Sequence, residues 1–195
     1  MSPFDTTYQA PAEKSNYTRL TEGVHVLRIL STPKEVQSYF VEYVDKQTKE
    51  GIKKEKIITP DNGDGKQPQG TRRNWAFKVY NHETKQVQVW EVAQKNIQQY
   101  LTNILRGKLK NDWTKFDLQI TRTGQGLETE YTLMNGDSES LGKEAQKIID
   151  ETYVDLTQMT LGKDPFDEDS QPAEETKAAT GSNTDDQGIE MKMPF

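Results

Sequence analysis

Cysteine is absent from all 195 residues, which excludes a disulfide framework, a thiolate-held metal and a cysteine nucleophile. The absence also fits a reducing cytoplasm. Histidine is nearly as scarce: His25 and His82 stand alone, with no carboxylates around them at metal-ligand spacing. Long apolar runs are missing too. None approaches the roughly 20 residues of a membrane span, and no basic leader precedes an apolar stretch. Gly63, Gly65 and Gly70 lack the Gly-Lys-Ser/Thr ending of a phosphate-cradling loop. Asp61 and Asp64 sit beside those glycines, where aspartate is favoured for bonding to its own backbone rather than to a divalent metal. No nucleophile, base and metal come together, so neither an enzyme nor a cofactor is expected. There is no internal repeat.

What the chain does have is charge sorted along its length. Gly162–Phe195 holds nine acids and three lysines, a net of −6 that equals the net charge of the whole chain. Tyr17–Asn135 holds 19 Lys and Arg against 14 Asp and Glu, while Gly136–Leu161 has six acids and two lysines. A mildly basic body therefore precedes an acidic end. The expected organisation is a flexible N-terminal arm over 1–16, a folded domain over 17–135, an amphipathic helix over 136–161 and a disordered acidic tail over 162–195. The tail finishes in an apolar tip: Asp185 and Asp186 precede Ile189, Met193, Pro194 and Phe195. A terminal ring needs an apolar pocket and its carboxylate needs a cation, so the tip reads as a hook for a partner protein.

Between these ends the pattern is mostly that of strands. Gly23–Leu30 and Val36–Asp45 are rich in β-branched and aromatic residues, and Asn74–Tyr80 with Val87–Val92 reads as a hairpin. In Asn74–Tyr80, Trp75, Phe77 and Val79 share one face while Asn74, Lys78 and Tyr80 share the other. Ile97, Tyr100, Leu101, Ile104 and Leu105 make one helical stripe that Gly107 ends. Lys115–Arg122 and Glu128–Met134 are two further strands. Lys46–Arg72 reads as a long mobile loop with a short strand near Lys56–Thr59, and Ser138–Met159 as a second amphipathic helix. That helix either packs on the body or pairs with a second chain as a homo-oligomer. The expected fold is mainly β with helices: a five- to six-stranded antiparallel barrel of the oligonucleotide-binding (OB) type with one packed helix. An SH3-like barrel or an open sheet would give a similar pattern.

Basic residues interleaved with aromatics are the strongest functional signal. Single-stranded DNA offers phosphates to cations and unstacked bases to flat rings. Lys53, Lys54 and Lys56 lead into the polar loop, Arg72 and Arg73 leave it, and Trp75, Lys78 and Tyr80 follow. Tyr39, Tyr43, Lys115 and Arg122 are candidates on neighbouring strands. Arg28 lies opposite Leu27 and Ile29, free to meet a phosphate or to pair with Glu22 or Glu42. Against this, Trp75 and Phe77 sit on the face read as inward, and Trp90 and Phe116 read as buried.

Asn74-Trp75-Ala76-Phe77-Lys78-Val79-Tyr80-Asn81, the stretch Gln86–Lys95 with Ile97-Gln98, and Ile120-Thr121-Arg122-Thr123-Gly124-Gln125-Gly126-Leu127-Glu128-Thr129-Glu130-Tyr131-Thr132 together resemble the single-stranded DNA-binding proteins of tailed bacteriophages. The opening Tyr17-Thr18-Arg19-Leu20-Thr21-Glu22-Gly23 is similar as well, and the likeness spans roughly 17–135. The resemblance implies an OB barrel that binds single-stranded DNA in replication, recombination and repair. It also implies an acidic tail that recruits phage or host enzymes, and a place in the cytoplasm of an infected bacterium. The cysteine-ligated zinc of some phage relatives has no ligands here. The rival expectation, favoured by the overall charge, is an acidic interaction protein or DNA mimic that binds a DNA-processing enzyme and no DNA.

Overall fold

A computed structural model describes residues 15–49, 51–107, 113–136 and 140–168. The alternating segments become β1 (Gly23–Ile29), β2 (Gln37–Thr48), β3 (Gly51–Pro60), β4 (Arg72–Asn81), β5 (Gln86–Val92), β6 (Asp117–Thr123) and β7 (Glu130–Asn135). Helix α1 (Lys95–Arg106) lies between β5 and β6, and α2 (Lys143–Glu151) with the single turn α3 (Thr157–Thr160) follows β7.

All seven strands join one sheet through antiparallel ladders, in the order β3-β2-β4-β1-β6-β7 with β5 on β4. One edge of β4 is shared, its first half pairing with β2 (Val41 opposite Arg72) and its last residues with β1 (Arg28 opposite Tyr80). The other edge takes β5, with Phe77 opposite Trp90. The outer edge of β5 is met in turn by Tyr17, where Val89 accepts from the Thr18 N–H and donates to the Asn16 carbonyl, each at 2.9 Å. No ladder joins β3 or β5 to β7, so among the described residues the sheet stays open. The expectation of five or six strands closed into a barrel thus gives way to seven strands in an open sheet.

Both faces of the sheet's central part are covered. On one face Leu27, Ile29, Phe77, Val79, Trp90, Val92, Leu118 and Ile120 pack against Ile97, Leu101 and Ile104 of α1, with Trp113 and Phe116 beside them. The i, i+4, i+7 spacing of the α1 residues makes this possible, each fully buried side chain contributing about 1.5–3 kcal/mol. Gly107 ends the helix, its N–H donating to the carbonyls of Asn103 and Ile104 at 3.0 and 3.1 Å. On the opposite face Tyr39, Val41, Ala76 and Val89 meet Leu156 and Met159, with Tyr17, Ile58, Val154 and Phe166 at the margin. The chain after β7 therefore packs back on the sheet.

Two local expectations are corrected. The helix expected over Ser138–Met159 breaks: Thr152–Asp155 is non-helical between α2 and α3. Thr152, Tyr153 and Val154 crowd χ1 in a helix, and the Asp155 carboxylate begins a new turn by accepting from the Thr157 N–H at 2.9 Å and hydroxyl at 2.6 Å. Within the loop expected over Lys46–Arg72, the short strand near Lys56–Thr59 proves to be the end of a ten-residue strand, β3, and β2 runs on to Thr48, which leaves a shorter loop after Pro60. β3 carries no apolar period because nearly all of it is exposed; its order comes from the ladder to β2. In the β6–β7 turn, Gly124 has φ +74°, and a Cβ there would lie 2.2 Å from the Glu128 carbonyl oxygen, so only glycine fits. The most distinctive motif of the sequence is therefore, at this position, a turn requirement.

Candidate nucleic-acid interface

β4 pairs with β2 only as far as Val41, so Glu42–Thr48 and Gly51–Ile57 project as a two-stranded ribbon. Cross-strand partners share a face, as do residues two apart along a strand. Tyr43 lies opposite Lys56, Asp45 opposite Lys54, and Val41 lies between Ile58 and Arg72. One face of the ribbon root therefore carries Tyr43, Lys54, Lys56 and Arg72 together. Tyr43 is 60% exposed, and its ring sits beside Lys56 and diagonally across from Lys54 and Arg72.

The charges on this face are unequally engaged. The Lys56 Nζ contacts the Glu91 carboxylate at 2.8 Å, where Glu91 also accepts from the Tyr39 hydroxyl. Lys54 faces Asp45 across the ladder. The Arg72 side chain is exposed. A strand of phosphates passing here would meet three cations and one flat ring, the combination that single-strand binding needs.

The other expected site residues are distributed elsewhere. Lys53 is exposed on the reverse face of the ribbon, opposite Lys46, which pairs with Glu55 at 3.0 Å. Arg73 also faces that way, its guanidinium 5.1 Å from the Phe40 ring centre and its Nε 3.2 Å from Asp61, close enough for charge but not aligned as a hydrogen bond. Asp61 accepts from the Ser38 hydroxyl at 2.7 Å and the Gly63 N–H at 3.0 Å. Burial pushes the Asp61 carboxyl up, but those bonds and Arg73 outweigh it and hold the group below the usual carboxylate range. Arg73 thus ties down the base of the loop. Trp75 is half-buried on the α1 side, edge-on to Phe77 at 6.4 Å. Arg122 donates to the Leu20 carbonyl at 3.1 Å and is half-buried.

Four of the nominated residues lie beneath the chain's own C-terminal segment or in the core. Tyr39 has no exposed surface, and burial, then the bond to Glu91, raises its phenol pKa. A ring without surface offers nothing to a base, so Tyr39 is a core residue. Tyr80 is 6% exposed, edge-on to the His82 ring at 5.2 Å. Arg28 is 4% exposed and pairs with Asp117 at 2.6 Å, in place of Glu22 or Glu42. Lys78 is half-buried and its Nζ donates to the Thr152 carbonyl at 3.2 Å. Lys115 remains exposed near Arg28. Asp185, Asp186, Ile189, Met193, Pro194 and Phe195 lie outside the described residues, as does nearly all of the 1–16 arm.

Sequence reasoning misses Glu91, which holds both Tyr39 and Lys56. Its signal is present, a lone acid within the apolar run Val-Trp-Glu-Val. Among the described residues no three histidines or carboxylates converge as for a metal ion, and no helix is long and apolar enough to cross a membrane. Comparison of the chain with family models, curated proteins and solved structures finds no match.

Proposed function

We propose that this chain binds single-stranded DNA without marked sequence preference along the β2–β3–β4 face. The observation that carries the reading is the exposed Tyr43 ring set among Lys54, Lys56 and Arg72. The ring stacks a base and the three cations track the phosphates on either side, so no base edge is read and every sequence is served alike. The basic balance of Tyr17–Asn135 and the likeness of its motifs to tailed-phage single-strand binders support the same reading. We take the open sheet, with α1 inserted in the chain between β5 and β6, as a variant of the OB barrel. In this account the protein is not an enzyme: it coats and protects single strands during phage replication, recombination and repair in the infected cell. The acidic 162–195 segment recruits replication or recombination enzymes, its charge steering it to basic partners and its Ile189, Met193 and Phe195 supplying apolar contacts.

The test is titration of labelled oligo-dT and of a duplex of equal length over a range of salt. Three phosphate contacts predict a slope of log affinity against log salt of about −2, from about 0.7 per phosphate. Duplex should bind far more weakly, because its bases are already stacked. Failure to bind either form, with capture of a DNA-processing enzyme instead, would leave the acidic interaction protein as the better reading.

A further inference from the structure

The face that carries Tyr43 continues past Val41 onto β4, β1 and β5, where α2 lies over it. α2 is held there poorly. None of its residues is fully buried; Ala145, Ile148 and Ile149 are only half-buried, although they form the correct stripe. Two clefts of about 600 and 520 Å³ flank the helix, and Leu30 and Ile149 line both. Cations line these clefts: Lys34 and Lys78 on one side, Lys115 on the other.

The charges across the gap are opposed. Burial lowers the Lys78 amino pKa, and Glu35 and Asp150 act against that shift. Glu144 of the first turn of α2 acts electrostatically on Tyr80. α3, by contrast, is anchored through Leu156 and Met159, both buried in the second core. Thr152–Asp155 between the two helices is non-helical. The chain could therefore release α2 while keeping α3 in place.

We propose that α2 is a displaceable cover over a second single-strand-binding surface made by Lys34, Lys78, Tyr80 and Lys115. Single-stranded nucleic acid entering from the Tyr43 face supplies phosphates to the lysines, at Lys78 in place of Asp150, and the helix swings out on Thr152–Asp155. Weak packing makes the exchange cheap: a helix of nine residues with no buried side chain has little of its own to lose. The inference rests on the single-strand reading above and adds the regulation of that site.

The experiment uses the full chain and oligo-dT, with two variants that loosen the cover: Ile149→Ala, which removes most of its apolar contact without adding charge, and Asp150→Asn, an exposed change that leaves packing intact. Both should tighten oligo-dT binding, Ile149→Ala by about fivefold and Asp150→Asn by about twofold, with the gain of the second fading at high salt. Adding Lys78→Ala should cancel the Ile149→Ala gain. Hydrogen exchange on the unaltered protein should show faster exchange of residues 143–151 when oligo-dT is bound, while β4 and β5 become more protected. Oligo-dT binding that neither variant alters, with α2 exchange unchanged or slowed, overturns the cover and leaves the Tyr43 face standing. Absence of oligo-dT binding by the unaltered chain and by both variants overturns both proposals.

Discussion

Tyr39 and Tyr43 are on the same strand and the same face, yet the first has no exposed surface and the second is 60% exposed. Nothing in their immediate surroundings in sequence separates them. The difference is the chain after β7, whose Leu156 and Met159 cover the sheet at Tyr39 and Val41 and leave the ribbon root open. The same division runs through the cations: Arg72 and Lys54 are exposed beside Tyr43, while Arg28 and Lys78 lie within the covered part. A period of two residues assigns a side chain to a face. What lies on that face is decided by contacts made far along the chain.

This contrast can be broken at several points. The largest effect is expected from Tyr39→Ala, which leaves a cavity in the second core and removes one of the two partners of Glu91; the loss should be about 3–5 kcal/mol of stability in a denaturant titration. Tyr43→Ala should leave stability within about 0.5 kcal/mol and cost about 1–3 kcal/mol of oligo-dT binding. Equal loss of stability from the two substitutions would erase the distinction between covered and open ends. Lys54→Ala and Arg72→Ala should each weaken binding to all sequences alike and reduce the salt slope by about 0.7.

The smallest expected effect comes from the reverse face and serves as a control. Asp61 has a folded-state pKa below its ordinary value, so its contribution is present above the unfolded value, about 3.9, and is lost as pH falls through the depressed folded one. Acid below about pH 4 should loosen the loop around Asn62–Gly70, seen as faster proteolysis or exchange there, and Asp61→Asn should remove that dependence. Tyr43 does not touch this lock, so oligo-dT binding should be indifferent to the Asp61→Asn change.

Much of the fold can be read from the residues alone. The density of β-branched and aromatic residues marks the β4–β5 hairpin, which is largely buried on both faces, and the stripe from Ile97 to Ile104 marks α1, because one face of that helix is buried and the other is not. β3 defeats the same reasoning, since a strand exposed on both faces carries no period; its Lys53, Lys54 and Lys56 look like loop residues until the ladder to β2 is known. The break at Thr152 could have been suspected from its β-branched neighbours, but the apolar stripe runs across it and hides it. For the site, the types of residue were legible and their grouping was not. Tyr43, Lys54, Lys56 and Arg72 come together only through the register of three strands, and a shift of one residue would send Tyr43 to the other face. Tyr80 and Lys78 alternate correctly with the core, and only the placement of α2 and α3 shows why they are not exposed.

The most direct measurement is photocrosslinking of an oligo-dT carrying 5-iodouracil to the unaltered chain, followed by identification of the modified residue. The account predicts the adduct on Tyr43, lost in Tyr43→Phe no more than in part and lost entirely in Tyr43→Ala. An adduct confined to Trp75 or Tyr131, with Tyr43 unmodified in the bound protein, would contradict it.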